Sequence, residues 1–343
     1  MSSERGPIVA TIAGKNHLPR ARVLAASLAR VHPELPFVLL LMDEPDGRLD
    51  PAREPFEVLG MEDLPQAPLR TLAFRYVRRA ASAAAKPELI RHLLARGHER
   101  VLLLDADTVI VDDLAPLLGA LDDASIALTP HLVTPATGAG ARQRELTIGL
   151  AGVVNTGVLG VRSSPEGQRF LDWWRRRLQT HCFAHVIAGV HLDQRWADFV
   201  PGLFDGVRLV RDPGVNVAYW NLPERPLRIE GSRITAAGHR CRVLHASGYD
   251  VRHPERLSVY APSLELAGMG DVRRLTARYR RALLDAGESE ALSWPWAFDR
   301  YADGVPIEEV ARVTHRELGE EADRFGDPFT VGSGSFREWL ETR

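Results

Sequence analysis

Val101-Leu102-Leu103-Leu104-Asp105-Ala106-Asp107 is the stretch that decides the fold. Four consecutive apolar residues read as a strand buried on both faces, the kind that belongs to a parallel sheet covered by helices. The two carboxylates fall where that strand emerges. In extended backbone, residues two apart face the same side, which would let Asp105 and Asp107 grip one hard cation. An ion held that way can bridge a diphosphate and neutralise it as it leaves. Alone the motif carries little, because strands commonly end in Asp at a turn, and Asp112-Asp113 just downstream reads as a helix N-cap.

Working outward, short apolar runs alternate with amphipathic segments of helix length from Pro7 to about Leu121. Residues 8–12, 37–41 and 56–59 read as strands, and residues 20–30 and 83–94 as helices, before the strand at 101–104. Consecutive strand-helix units imply a mostly parallel α/β sheet, and ligands of such sheets bind at the C-terminal ends of the strands, where Asp105 lies. Beyond it, 114–121 reads as a helix, 125–128 as a strand, 130–140 as a loop or lid, 153–161 as a strand and 165–180 as a helix. The Trp173-Trp174 pair on that last helix fits core packing better than a sugar platform. Residues 192–199 read as a short helix, and 207–209 and 242–245 as strands. After about Arg256 the composition turns to Arg-, Leu- and Ala-rich helices. The expectation is a domain over 1–255 and a helical extension over 256–343 packed on it.

With 343 residues the chain can bury a large core, and a net charge of −2 gives no pull toward nucleic acid or anionic membrane. Cys182 and Cys241 lie far apart with no metal-ligand spacing, which points to buried thiols in a reducing compartment. Residues 1–7 lead into a strand without an apolar signal region, and no stretch is long enough to span a bilayer. The expectation is a cytoplasmic protein.

Four further residues could share a site with the carboxylates. His245 ends a strand and precedes Ala246-Ser247-Gly248, small residues that let a ligand approach. An imidazole with two carboxylates suits Mn²⁺. Asp193-Gln194 opens a short helix, where the carboxylate is either a cap or a group facing a sugar. Lys86, the only long polar side chain after Ala83-Ala84-Ala85, offers a cation to a phosphate or a hydroxyl.

With these motifs in order, the chain resembles the retaining, metal-dependent glycosyltransferases of GT-A fold, family 8 type, which include glycogenin and bacterial lipopolysaccharide galactosyltransferases. The resemblance rests on residues 11–14 with 21–24, Lys86, Leu103-Leu104-Asp105-Ala106-Asp107, Asn155-Thr156-Gly157, Asp193-Gln194, and Val243-Leu244-His245 with Gly248, across the first 250 residues or so. It implies a nucleotide-sugar donor, most often a UDP-sugar, with Asp105, Asp107 and His245 holding Mn²⁺ or Mg²⁺ against the diphosphate. It further implies that Thr11, Ala13 and Gly14 lie beside base and ribose, that Lys86, Asn155 and Asp193 hold the donor sugar, and that Gln194 is near the anomeric carbon. Ala106, Thr156 and Gly248 fall within the donor-binding motifs. Family members often carry a lysine shortly after the His-x-x-Gly; here Arg252 stands nearby in an offset register. The stretch 131–151 is the expected acceptor-side loop, for a glycan, lipid-linked, protein or small-molecule acceptor.

The same residues admit three other readings. Asp105-Ala106-Asp107-Thr108-Val109 also fits the first motif of haloacid dehalogenase-type phosphatases, but a full set of strand-helix units precedes it and no clear acidic pair follows. A sugar-nucleotide binder without catalysis would be expected to show a broken metal triad, and a nucleotidyltransferase a richer phosphate loop than Ala13-Gly14-Lys15-Asn16.

Overall fold

A computed structural model describes residues 5–343. Strands β1 (Ile8–Ala13), β2 (Phe37–Leu41), β3 (Glu57–Leu59) and β4 (Arg100–Leu104) are joined by helices and pair in parallel in the order β3-β2-β1-β4. A short strand β5 (Thr108–Ile110) leaves this sheet, which continues through β7 (Val154–Arg162), β6 (Ile126–Pro130) and Val207–Leu209. Only β7 runs against its neighbours. This is the expected mixed α/β architecture with a mainly parallel sheet between helices.

The two-residue period of the strands explains why helices cover both faces. In β1 and β4, Ile8, Ala10, Val101 and Leu103 pack with Leu89, Ile90 and Leu93 of helix Lys86–Ala95 and with Phe170 and Trp174 of helix Pro165–Leu178. Their neighbours Val9, Leu102 and Leu104 point the other way, onto Leu24 and Leu28 of helix Leu18–Val31. Each such side chain, fully buried, stabilises by roughly 1.5–3 kcal/mol. Because β1 leads to β2 and β3 on one side while β4 returns on its other side, the strand order reverses between β1 and β4. Crevices form at such reversals, and this one opens at Ala13-Gly14 and Asp105.

Residues beyond 255 pack into the same core. Phe298, Phe329 and Phe336 join the cluster around Phe74, and Arg312 donates to the carbonyls of Ala73 (3.1 Å), Phe74 (2.7 Å) and Tyr76 (3.0 Å). Trp296 Nε1 donates to Met42 O at 3.1 Å, stitching this region to the end of β2.

Several elements differ from the sequence reading. The helix expected over 83–94 is two, Arg78–Ala84 and Lys86–Ala95. Pro87 is the reason: without an N–H it cannot continue a helix but fits the first turn of a new one. Within the loop expected over 131–151, residues Ala141–Ala151 form a helix that buries only Ile148. A hairpin, Leu227–Glu230 and Arg233–Ala236, turns at Gly231, whose φ of +63° suits glycine.

Candidate donor and metal site

The backbone at Asp105-Ala106-Asp107 is a turn, not the extended segment assumed from the sequence. Asp105 O accepts from Thr108 N (3.0 Å) and Thr108 Oγ1 (2.8 Å), while Asp105 N donates to Gly157 O (2.8 Å). The two carboxylates therefore converge by turn geometry, not by strand pleat. The turn also starts β5, which pairs antiparallel with Val243–His245 and sets His245 opposite Thr108. Ala246 N closes the ribbon on Asp107 O at 2.8 Å. One ligand oxygen from each carboxylate and a ring nitrogen of His245 lie within 4.8 Å of one another.

Gly157 makes the space. A Cβ there would come within 2.4 Å of His245 Cε1 and 2.9 Å of both Asp105 Oδ2 and Asn155 Oδ1. No side chain larger than hydrogen fits beneath the three groups.

The orientation of His245 is fixed by a chain of amides. Asn216 Nδ2 donates to Thr129 Oγ1 (2.8 Å) and Asn155 Oδ1 (2.9 Å), so its Oδ1 faces His245 Nδ1 at 3.0 Å and requires a proton there. Nε2 is left turned to Asp107 Oδ1 at 3.2 Å. That is the tautomer a metal-ligating histidine needs, with its second nitrogen held by a partner. The chain continues: Asn155 Nδ2 donates to Gln194 Oε1 (2.8 Å), and Gln194 Nε2 donates to Ala151 O (2.9 Å). Asn216 has φ of +60°, a left-handed backbone that asparagine tolerates better than most residues.

Burial alone would lower the pKa of His245, yet the Asp107 carboxylate beside it raises it. For Asp107, burial pushes the carboxyl up, but His245 and then Arg20 bring it well below the usual range. The pair thus behaves as anion and cation, and a divalent ion would take the place of the proton between them. The residues fit a Mn²⁺ or Mg²⁺ ion: two carboxylates, one imidazole of defined tautomer, and room over Gly157.

Lys86 links this cluster to the second one. Its Nζ lies 3.0 Å from Asp105 Oδ1, 3.0 Å from Asp193 Oδ2 and 3.1 Å from Thr156 O. Burial would lower its pKa, but Asp105 and Asp193 raise it, so the ammonium stays charged. The capping alternative for Asp193 does not hold: its side chain makes no cap hydrogen bond to helix Gln194–Ala197. Leu192 just before it has φ of +52°, a strained conformation for a leucine, and Trp174 Nε1 donates to Asp193 O at 3.2 Å. Trp174 is otherwise core, stacked on Phe170, as its helical spacing implied.

The remaining expected donor residues are placed as follows. Thr11 is wholly buried within β1, and its Oγ1 has no partner among the described residues. Ala13 and Gly14 are at the strand's C-terminal end, with Arg78 Cδ packed 3.0 Å from where a Gly14 Cβ would be. Ala106 packs with Leu18, Ala21 and Trp294. Gly248 has φ of +70°, and a Cβ there would come within 2.7 Å of Ser258 Oγ. Lys15 is committed to Asp43 (3.0 Å) and Asp46 (2.6 Å), and exposed Arg252 pairs with Asp250 (2.7 Å). Sequence reasoning missed Asn216, and also Arg78 and Arg79. Burial, then Arg20 and more weakly Arg78 and Arg79, lower His17 to about 3 against the opposite pull of Asp107. The left-handed propensity of Asn216 was the one signal available for it.

Residues 73–195 match the family model for nucleotide-diphospho-sugar transferases. Over that segment the chain is similar to the nucleotide-diphospho-sugar transferases. The matched segment carries Lys86, Asp105, Asp107, Asn155, Asp193 and Gln194. The uncharacterized protein YfnF of Bacillus subtilis (strain 168) is 26% identical over 253 residues, 70% of this chain and 81% of its own. Among solved structures, the galactosyltransferase LgtC in complex with donor and acceptor sugar analogs aligns over 80% of this chain and 96% of its own, at 17% identity and a TM-score of 0.45. The glycosyltransferase GlyE of Streptococcus pneumoniae TIGR4 aligns over 86% and 67%, at 15% identity and 0.46. No helix among the described residues is long and apolar enough to cross a membrane.

Proposed function

We propose that this chain is a metal-dependent glycosyltransferase that takes a UDP-sugar and transfers its sugar with retention of anomeric configuration. The observation that carries the reading is the convergence of Asp105, Asp107 and His245 beside the Lys86–Asp193 pair. A bound Mn²⁺ or Mg²⁺ supplies charge neutralisation of the diphosphate leaving group. Ala13 and Gly14 would line the base and ribose side of the crevice with the buried Thr11 behind them, and Thr156 and Gly248 would shape its floor and rim. Lys86 holds Asp105 and Asp193 at fixed separation, so that Asp193 meets the sugar hydroxyls. Asn155 acts through Gln194: with its own amide engaged on both sides, it fixes the carboxamide that faces the anomeric carbon.

Asp193 is tied to Lys86, which favours front-face attack assisted by the leaving phosphate over a covalent intermediate on this carboxylate. A sugar trapped on Asp193 would overturn that mechanism. The function itself is tested by a donor-hydrolysis screen over UDP-, GDP- and TDP-sugars, with Mn²⁺ and with chelator, for the natural chain and Asp107→Ala. Metal-dependent release of UDP, lost in the variant, is expected. Turnover of simple phosphoesters with no release from any nucleotide-sugar would refute it.

A further inference from the structure

Helix Leu18–Val31, the loop carrying Arg48 and Arg53, β5 and helix Gly270–Asp285 surround a cavity of about 1010 Å³ that includes none of the donor-site residues named above. Ligand pockets typically span about 300–1,000 Å³, so the space is ample for a sizeable ligand. Its chemistry is divided. The floor is apolar, built from Val23, Val109, Leu244 and Leu275, while five arginines stand around it against only Asp50 and Glu54.

Much of the acidic charge is already committed. Glu54 pairs with Arg22 at 2.5 Å, and Asp50 Oδ1 accepts from Ala52 N at 3.1 Å. Arg30, Arg53 and Arg278 are exposed and have no carboxylate partner among the described residues; Arg30 reaches only the carbonyl of Ile110, at 3.1 Å. A second, narrower cleft shares Val109, Leu244, Leu275 and Tyr279 with the cavity and runs on beneath helix Gly270–Asp285. Tyr279, 9% exposed, lines both spaces, and its hydroxyl, without a hydrogen-bond partner among the described residues, lies in the field of Arg20, Asp107 and Glu288. A buried hydroxyl without a partner is costly unless something reaches it.

We propose that this cavity binds a single-chain amphiphile with a phosphate head. The head lies among Arg30, Arg53 and Arg278, and the chain follows the apolar floor toward Tyr279. A bare anion would leave the floor uncovered, and a neutral chain would leave three guanidinium groups without a counter-charge. The arginine-rich cavity uses none of the donor-site residues, while the second cleft it joins is lined in part by His245.

The test is calorimetry on the full chain with dodecyl phosphate below its micelle concentration, beside octyl phosphate, inorganic phosphate and dodecyltrimethylammonium. Saturable one-to-one binding of dodecyl phosphate is expected, with affinity rising by up to roughly fourfold per methylene between the octyl and dodecyl forms. Ala26→Trp fills the cavity from an exposed helix position and should abolish binding, while Arg53→Ala with Arg278→Ala should weaken it about tenfold or more. Circular dichroism establishes that each variant is folded. Binding unchanged in Ala26→Trp, equal affinity for octyl and dodecyl phosphate, equal binding of the cationic amphiphile, or binding only to phosphatidylglycerol vesicles and not to the monomer would each overturn the proposal.

Discussion

The proposed donor side and the segment Ala141–Ala151 meet at Gln194, yet they are built in opposite ways. On the donor side each polar group is held twice: His245 by Asp107 and Asn216, Lys86 by two carboxylates, Asn155 by Asn216 and Gln194. The segment opposite buries a single side chain, Ile148, and leaves Leu146 (59%) and Leu150 (54%) open to solvent beside exposed Val153 and Ile187. It meets the donor side through Ala151 O, bound by Gln194, and through Asp198 Oδ1, which accepts from Val153 N at 2.8 Å. Preorganisation is concentrated on the proposed donor side; the segment opposite, proposed as the acceptor side, is apolar and loosely held. Chemistry and selectivity should therefore separate under mutation.

The largest effect is expected at the metal carboxylates. Asp107→Ala should lower kcat/KM for donor turnover by about 10³-fold or more, an apparent loss near 4 kcal/mol, in a variant that circular dichroism shows to be folded. If turnover survives that change, the donor half is not the chemical half. A second test asks whether the tight framework extends into the region beyond 255. Burial, then the charge of Arg75, lowers His315 to about 4, and Arg75 Nε donates to its Nδ1 at 3.1 Å. The folded state thus keeps this imidazole neutral below its unfolded value near 6.5. Its contribution is complete above pH 6.5 and is lost as pH falls toward 4, by about 3 kcal/mol at most. Denaturant titrations of the natural chain and His315→Gln across pH 4–7 should differ in slope; identical slopes would contradict the assignment.

Next comes Asn216→Ala, which removes the acceptor for His245 Nδ1 and one anchor of Asn155. Mn²⁺ affinity should fall about 10–100-fold, as for other losses of a partner behind a ligating histidine. The smallest effect is expected across the crevice. Leu146→Ser with Leu150→Ser should shift stability by no more than about 0.5 kcal/mol, leave donor hydrolysis unchanged and raise acceptor KM by several-fold. A matching fall in donor hydrolysis would dissolve the contrast between the two sides.

The same contrast explains what the sequence disclosed. Strands 8–12, 37–41 and 101–104 are continuous apolar runs because both their faces are covered, so local pattern and tertiary role agree. Asp105, Asp107, His245, Lys86 and Asp193 stood out because they lie next to strand ends or a helix start, and the structure brings them together. Their geometry was not legible, since the turn at Asp105–Thr108 depends on pairing with residues 243–245, far along the chain. Asn216 stayed hidden because its role lies wholly in contacts between distant segments. Helix Ala141–Ala151 stayed hidden because it buries too little to show an apolar period.

The central claim is that Asp105, Asp107 and His245 form one divalent-ion site that acts on a nucleoside diphosphate. Mn²⁺ titration followed by electron paramagnetic resonance, with and without UDP, tests it directly on the natural chain and on Asp107→Ala. The account predicts one UDP-strengthened Mn²⁺ site per chain that disappears in the variant. Equal Mn²⁺ binding by both proteins, or binding indifferent to UDP, would contradict it.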